Sequence, residues 1–112
     1  TGTRIDHVLG NIELLGIGLQ NRIEIEMMDV NNRIRMIETG LTLEKETQFG
    51  NYVSLIPYTS EVKGLTLTGF KYPLDKYILK GFCSLGVSNE ITEPVAEISF
   101  EDGILIVIES RD

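Results

Sequence analysis

Apolar positions between Arg4 and Leu19 recur with the period of a helix. Ile5, Val8, Leu9, Ile12, Leu15 and Leu19 follow i, i+3, i+4 and i+7 steps and form one face. Arg4, His7 and Asn11 share a second stripe, and Asp6 projects from the first turn. Gly16 and Gly18 weaken the far end, so the helix is expected to stop near them. Its apolar face has to be covered by the rest of the chain or by a partner chain.

From Arg22 the period becomes two. Ile23, Ile25 and Met27 alternate with Glu24, Glu26 and Met28, and Ile34 and Met36 alternate with Arg33 and Arg35. If residues 29–32 form a four-residue loop, Met27 faces Ile34, Ile25 faces Met36, and Glu26 meets Arg35 as a favourable cross-strand pair. A two-residue Asn31-Asn32 loop is the competing register. Further strand candidates cover 41–45, 51–56, 62–63, 65–70, 78–80, 95–100 and 104–110, punctuated by Pro57, Gly64, Pro73, Gly81 and Pro94. Asp102-Gly103 predicts a hairpin between the last two. The unbroken apolar run 104–108 predicts a strand buried on both faces and central in its sheet. Short strands at this spacing predict a mostly β fold, an antiparallel β-sandwich with one N-terminal α-helix.

Composition narrows the function. The 112 residues suffice for one core, and a net charge of −7 argues against a nucleic-acid partner, which needs a basic face. No apolar run approaches the roughly 20 residues of a membrane span, so no membrane partner is expected. The single cysteine, Cys83, has no partner for an internal disulfide and suits a cytoplasmic location and a buried strand position. His7 is the only histidine, so neither a histidine metal cluster nor a histidine-paired triad can be assembled. Gly16-Ile-Gly18 follows a helix where a nucleotide loop would follow a strand. The acidic residues lack the spacing of a calcium loop.

Two polar groups remain that a core does not require. Arg4-Ile5-Asp6-His7 with Asn11 sets a guanidinium fork beside a carboxylate. Gly86-Val87-Ser88-Asn89-Glu90 lines up a hydroxyl, an amide and a carboxylate behind a glycine, which lets backbone approach a ligand closely. On residue grounds alone, the first is an ordinary solvated helix start and the second a turn between strands.

Four blocks in order carry a resemblance. They are residues 1–7 with Asn11; Ser54-Leu55-Ile56-Pro57; Gly69-Phe70-Lys71-Tyr72-Pro73-Leu74; and Gly86-Val87-Ser88-Asn89-Glu90. The 103–112 ending adds to them. Together they resemble the C-terminal part of the thiamine pyrophosphokinase family. The resemblance implies transfer of pyrophosphate from ATP to the thiamine hydroxyl, giving thiamine diphosphate and AMP, with magnesium bridging phosphate oxygens. It implies that Arg4 stabilises phosphate charge and that Asp6 serves the magnesium or the thiamine hydroxyl. Ser88 and Asn89 would contact thiamine, with His7, Asn11 and Ser84 in support. It further implies a homodimer in which one chain's sandwich faces the other chain's nucleotide site.

The chain opens at Thr1, inside the first motif, and is read as a fragment. Residues 1–20 are then the end of an α/β catalytic domain whose acidic residues hold magnesium and ATP, and 21–112 the thiamine-binding β-sandwich. No cofactor is expected on the fragment, which should be inactive alone. Two departures stand out: Thr3 replaces a usual glycine, and Ile91-Thr92 follow Glu90 where some family branches carry a stacking aromatic. Tyr72 and Phe82 are candidates to line the pocket, with core packing the preferred reading for each. The alternative is a non-catalytic β-sandwich that serves dimerisation.

Overall fold

The computed structural model describes residues 5–81 and 86–112, in which one helix and two four-stranded antiparallel sheets stack as three layers. Arg4, Phe82, Cys83 and Ser84 lie outside the described residues. The helix, α1, spans Ile5–Gln20. The strands are β1 (Glu26–Met28), β2 (Asn32–Ile37), β3 (Leu41–Glu44), β4 (Tyr52–Pro57), β5 (Glu61–Thr68), β6 (Leu74–Lys80), β7 (Val95–Ser99) and β8 (Leu105–Ser110). The first sheet runs β1-β2-β8-β4 and the second β3-β7-β5-β6. The expected antiparallel sandwich with one helix is what forms.

Two clusters hold the layers together. Between the sheets lie Val53, Leu55, Val62, Leu65, Leu67, Leu79, Ile98, Leu105 and Val107, each at most 1% exposed. Each such side chain contributes about 1.5–3 kcal/mol. On the outer face of the first sheet, Leu15 packs with Met36 and Ile106, flanked by Ile12, Leu19, Ile34 and Ile108. The second half of the helix, from Ile12 to Leu19, therefore finds cover within the chain. β8 lies between β2 and β4 and is buried from both sides, as its apolar run requires.

The helix does not stop at its glycines. It continues to Gln20 and ends in a Schellman motif: Ile23 N–H donates to the Gly18 carbonyl at 2.8 Å and Arg22 N–H to that of Leu19 at 3.2 Å, with Arg22 at φ +58°. A side chain at Gly18 would sit 2.9 Å from the Ile23 carbonyl oxygen, so glycine is what permits this tight return. Leaving the helix this way, Ile23 and Ile25 stay exposed and β1 begins only at Glu26. The expected Ile25–Met36 pair is thus absent from the ladder, while Met27↔Ile34 and Glu26↔Arg35 form in the register of the four-residue loop. The ion pair itself runs diagonally, from Arg33 Nη2 to Glu26 at 3.0 Å, because Arg35 turns inward to Glu109.

Three strand expectations change. The 62–63 and 65–70 candidates are one strand, β5, with register shifts on either side of Leu65, and Phe70 lies beyond its end. β6 begins at Leu74. Residues 101–103 make a turn between sheets where a hairpin was predicted: Glu101 N–H donates to Lys63 O, and Lys63 N–H to Asp102 O, both at 2.8 Å. β7 alternates buried and exposed and suits a sheet open to solvent on one side, whereas β8 needs cover on both. The two strands therefore belong to different sheets.

Candidate functional site

β4 is an edge strand of the first sheet, and the segment 86–91 lies along its free side. Leu55 N–H donates to Gly86 O, and Val53 and Asn89 exchange both backbone bonds, all at 2.8 Å. A Cβ on Gly86 would fall 2.5 Å from the Leu55 carbonyl oxygen. The glycine thus brings backbone close to β4, where the sequence suggested approach to a ligand. Ile91 then bridges to Phe70, and Lys71 N–H donates to Glu90 O at 2.8 Å, so the segment ties the end of β5 to the edge of the opposite sheet.

Ser88 is exposed and adopts φ +58°, a left-handed conformation uncommon for a residue with a Cβ. Its N–H donates to Ser54 Oγ at 2.9 Å, which holds the strained turn against β4. Asn89 is the opposite case, 2% exposed. Its Oδ1 accepts from Tyr72 N–H at 3.0 Å and Glu90 N–H at 2.9 Å, and its Nδ2 donates to Tyr72 O at 2.9 Å. Most of its hydrogen-bonding capacity is therefore spent within the fold, with one amide hydrogen left uncommitted among the described residues.

Tyr72 is not core: it is 55% exposed. The Lys71 ammonium lies 5.5 Å from its ring centroid and 3.6 Å from the Glu90 carboxylate. Charge on Tyr72 and then Glu90 holds the Lys71 pKa above its ordinary value. Sequence reasoning preferred the core to the pocket wall for Tyr72 and did not single out Ser54. The available signals were Pro73, which forces the preceding residue into an extended conformation, and a serine on the strand's polar alternation.

The other group of candidates sits on a different element. Asp6, His7 and Asn11 are exposed on the first two turns of α1, and His7 N–H donates to Asp6 Oδ1 at 3.0 Å. The hydrogen bonds described for 86–91 run instead to β4, to the 69–72 segment and to Lys45. Among the described residues no three of His, Cys, Asp and Glu gather to hold a metal ion, and no helix is long and apolar enough to cross a membrane. A separate cavity of about 750 Å³ opens between the end of α1, residues 22–26 and β2, lined by Leu15, Ile25, Arg35 and Met36 among others.

Residues 38–105 match the family model described as thiamin pyrophosphokinase, vitamin B1 binding domain. The chain is similar to thiamine pyrophosphokinase of Bacillus subtilis (strain 168), 41% identical over all 112 residues and covering 52% of that protein. It therefore spans about half the length of the curated relative it matches. The crystal structure of the Bacillus subtilis enzyme superposes with a TM-score of 0.92 at 42% identity, over all of this chain and 52% of that one. That of the Geobacillus thermodenitrificans thiamin pyrophosphokinase gives 0.86 at 38%, over all of this chain and 51% of that one.

Proposed function

Since the chain belongs to the thiamin pyrophosphokinase vitamin B1 binding domain family, we propose that it supplies the thiamine-binding β domain of a thiamine pyrophosphokinase. In this reading 21–112 is the binding sandwich, and 1–20 closes an α/β catalytic domain. The observation that supports it most is the segment 86–91, where a strained, exposed Ser88 and a buried Asn89 are fixed side by side by bonds to β4 and Tyr72. Ser88 would offer a hydroxyl to the aminopyrimidine, and Asn89 would contact the ligand beside it with the amide hydrogen not spent on Tyr72. Ser84 would support them from the preceding residues.

The reaction we assign is transfer of pyrophosphate from ATP to the thiamine hydroxyl, with release of AMP. Such transfer asks the protein for positioning and charge stabilisation. Arg4 would hold phosphate oxygens with its planar fork, with His7 and Asn11 orienting neighbours. Magnesium, when bound, neutralises phosphate charge. Asp6 would serve either magnesium or the thiamine hydroxyl, and the main metal ligands and the ATP site would belong to the catalytic domain. A homodimer would let one chain's sandwich face its partner's nucleotide site, and the cytoplasm would supply ATP and magnesium.

Isothermal calorimetry of thiamine against this chain tests the reading. Binding that is lost in Ser88→Ala/Asn89→Ala, with light scattering unchanged, supports it. A well-folded chain, and an intact enzyme built on it, that bind no thiamine would overturn it in favour of a dimerisation module.

A further inference from the structure

We infer that Lys45 is a positioning residue for the ligand-binding segment: its ammonium fixes the far end of residues 86–91 and, through it, Ser88 and Asn89. The inference rests on the thiamine-binding reading above.

Ile91 ends that segment and is 1% exposed, so its carbonyl has to find a partner or carry the penalty of a buried, unpaired group. The carbonyls of Gly86, Asn89 and Glu90 are each met by a backbone N–H, those of Leu55, Val53 and Lys71. Ile91 is met by a side chain instead: Lys45 Nζ donates to its carbonyl at 2.8 Å. The backbone N–H of the same lysine donates to Pro94 O at 3.0 Å, one step past the Glu44↔Val95 end of the β3–β7 ladder. One residue thus holds both ends of 91–94. On the opposite flank the N–H groups of Thr92 and Glu93 reach Gly69 O at 2.9 and 3.3 Å, and Pro94 has no N–H to add.

The choice of a lysine is informative. Position 45 is exposed, and holding its long stem in one geometry costs rotamer freedom. Among the described residues no carboxylate pairs with it, so the ammonium serves the Ile91 carbonyl. A charged donor makes this bond about twice as strong as a neutral one would. The carbonyl so fixed stands where the chain leaves the edge of the first sheet for the second. From Ile91 back to Asn89 is two residues, at most about 7 Å of chain. Within that reach Glu90 N–H is held by Asn89 Oδ1 at 2.9 Å. Little slack remains, so a shift at Ile91 passes to Asn89 and to Ser88, whose φ of +58° persists only with support from outside. Lys45 acts through Ile91 and needs no contact with the ligand itself.

Calorimetry with thiamine, on this chain and on an intact enzyme built on it, tests the inference with Lys45→Met and Lys45→Arg, beside amide hydrogen exchange. Lys45→Met is expected to weaken binding about tenfold, and Lys45→Arg, which keeps a charged donor, less than about threefold. In Lys45→Met the Asn89 amide, which donates to Val53 O, should exchange faster while that of Val107 stays protected. A merely structural lysine would lower Tm and leave both the affinity of the folded chain and the Asn89 exchange as in the wild type; either result overturns the inference alone. Wild-type protein that binds no thiamine in either form overturns the functional reading, and this inference with it. Where Lys45→Met does not fold, Lys45→Gln, whose shorter stem also removes the ammonium, is read in the same way.

Discussion

Arg35 Nη2 donates a hydrogen bond to Glu109 Oε2 on the inner side of the sandwich, where the glutamate side chain is only 3% exposed. Glu109 follows Leu105 and Val107 on the core face of β8, so the alternation that builds the core also carries a carboxylate into it. Arg33 approaches the same oxygen at 3.9 Å. Glu109→Ala would leave the Arg35 guanidinium without its partner and is expected to destabilise by about 3 kcal/mol. Urea unfolding measures this. The double variant Arg35→Met/Glu109→Leu should recover much of the loss, since it removes both charges together.

Two glycines of α1 should respond in opposite ways to alanine. Nothing lies within 4 Å of a Cβ built on Gly10, so Gly10→Ala should stabilise by about 0.5–1 kcal/mol through helix propensity. A Cβ on Gly18 would meet Ile25 Cδ1 at 2.6 Å and the Ile23 carbonyl oxygen at 2.9 Å. Ile25 can move, but the backbone oxygen belongs to the Schellman turn. Gly18→Ala should therefore lower Tm, read by circular dichroism.

Ser88→Gly separates backbone from hydroxyl. Glycine adopts φ +58° without the penalty of about 1 kcal/mol that serine incurs, so the variant should fold at least as stably as the wild type. Its thiamine affinity should nonetheless fall, because the hydroxyl is gone. Equal affinity by calorimetry would remove Ser88 from the site.

Asp29 caps the β1–β2 connection by accepting from the N–H groups of Asn31 at 2.8 Å and Asn32 at 2.7 Å. The Asn31 bond, foremost, holds its pKa below the ordinary carboxylate value. A depressed folded pKa contributes stability above the unfolded value, which is lost as pH falls through the folded one. Asp29→Ala should therefore lower Tm by a constant amount near neutrality, with the gap closing below about pH 4. A gap that stays constant into acid would refute the capping role.

How far the sequence could be read depended on how local each cause was. The helix, the two-residue period through β1 and β2 and the apolar run 104–108 report burial along a single element, and the structure follows them; at 22–25, where the chain is leaving the helix, it does not. The Met27↔Ile34 register was legible because loop length and alternation act across a few residues. The Asp102-Gly103 turn was legible as a turn, but the sheets it joins were not: that depends on α1 covering one face of β8, more than eighty residues away in sequence. The candidate site divides likewise. The polar types of Ser88 and Asn89 could be read directly. That Asn89 points inward to the Tyr72 backbone, that Ser54 supports Ser88, and that Tyr72 stands in solvent all depend on segments meeting from separate strands. Periodicity states how much of each residue must be buried. Only the closed sandwich decides against what, because hydrogen bonds and packing are satisfied by partners in space, whatever their order along the chain.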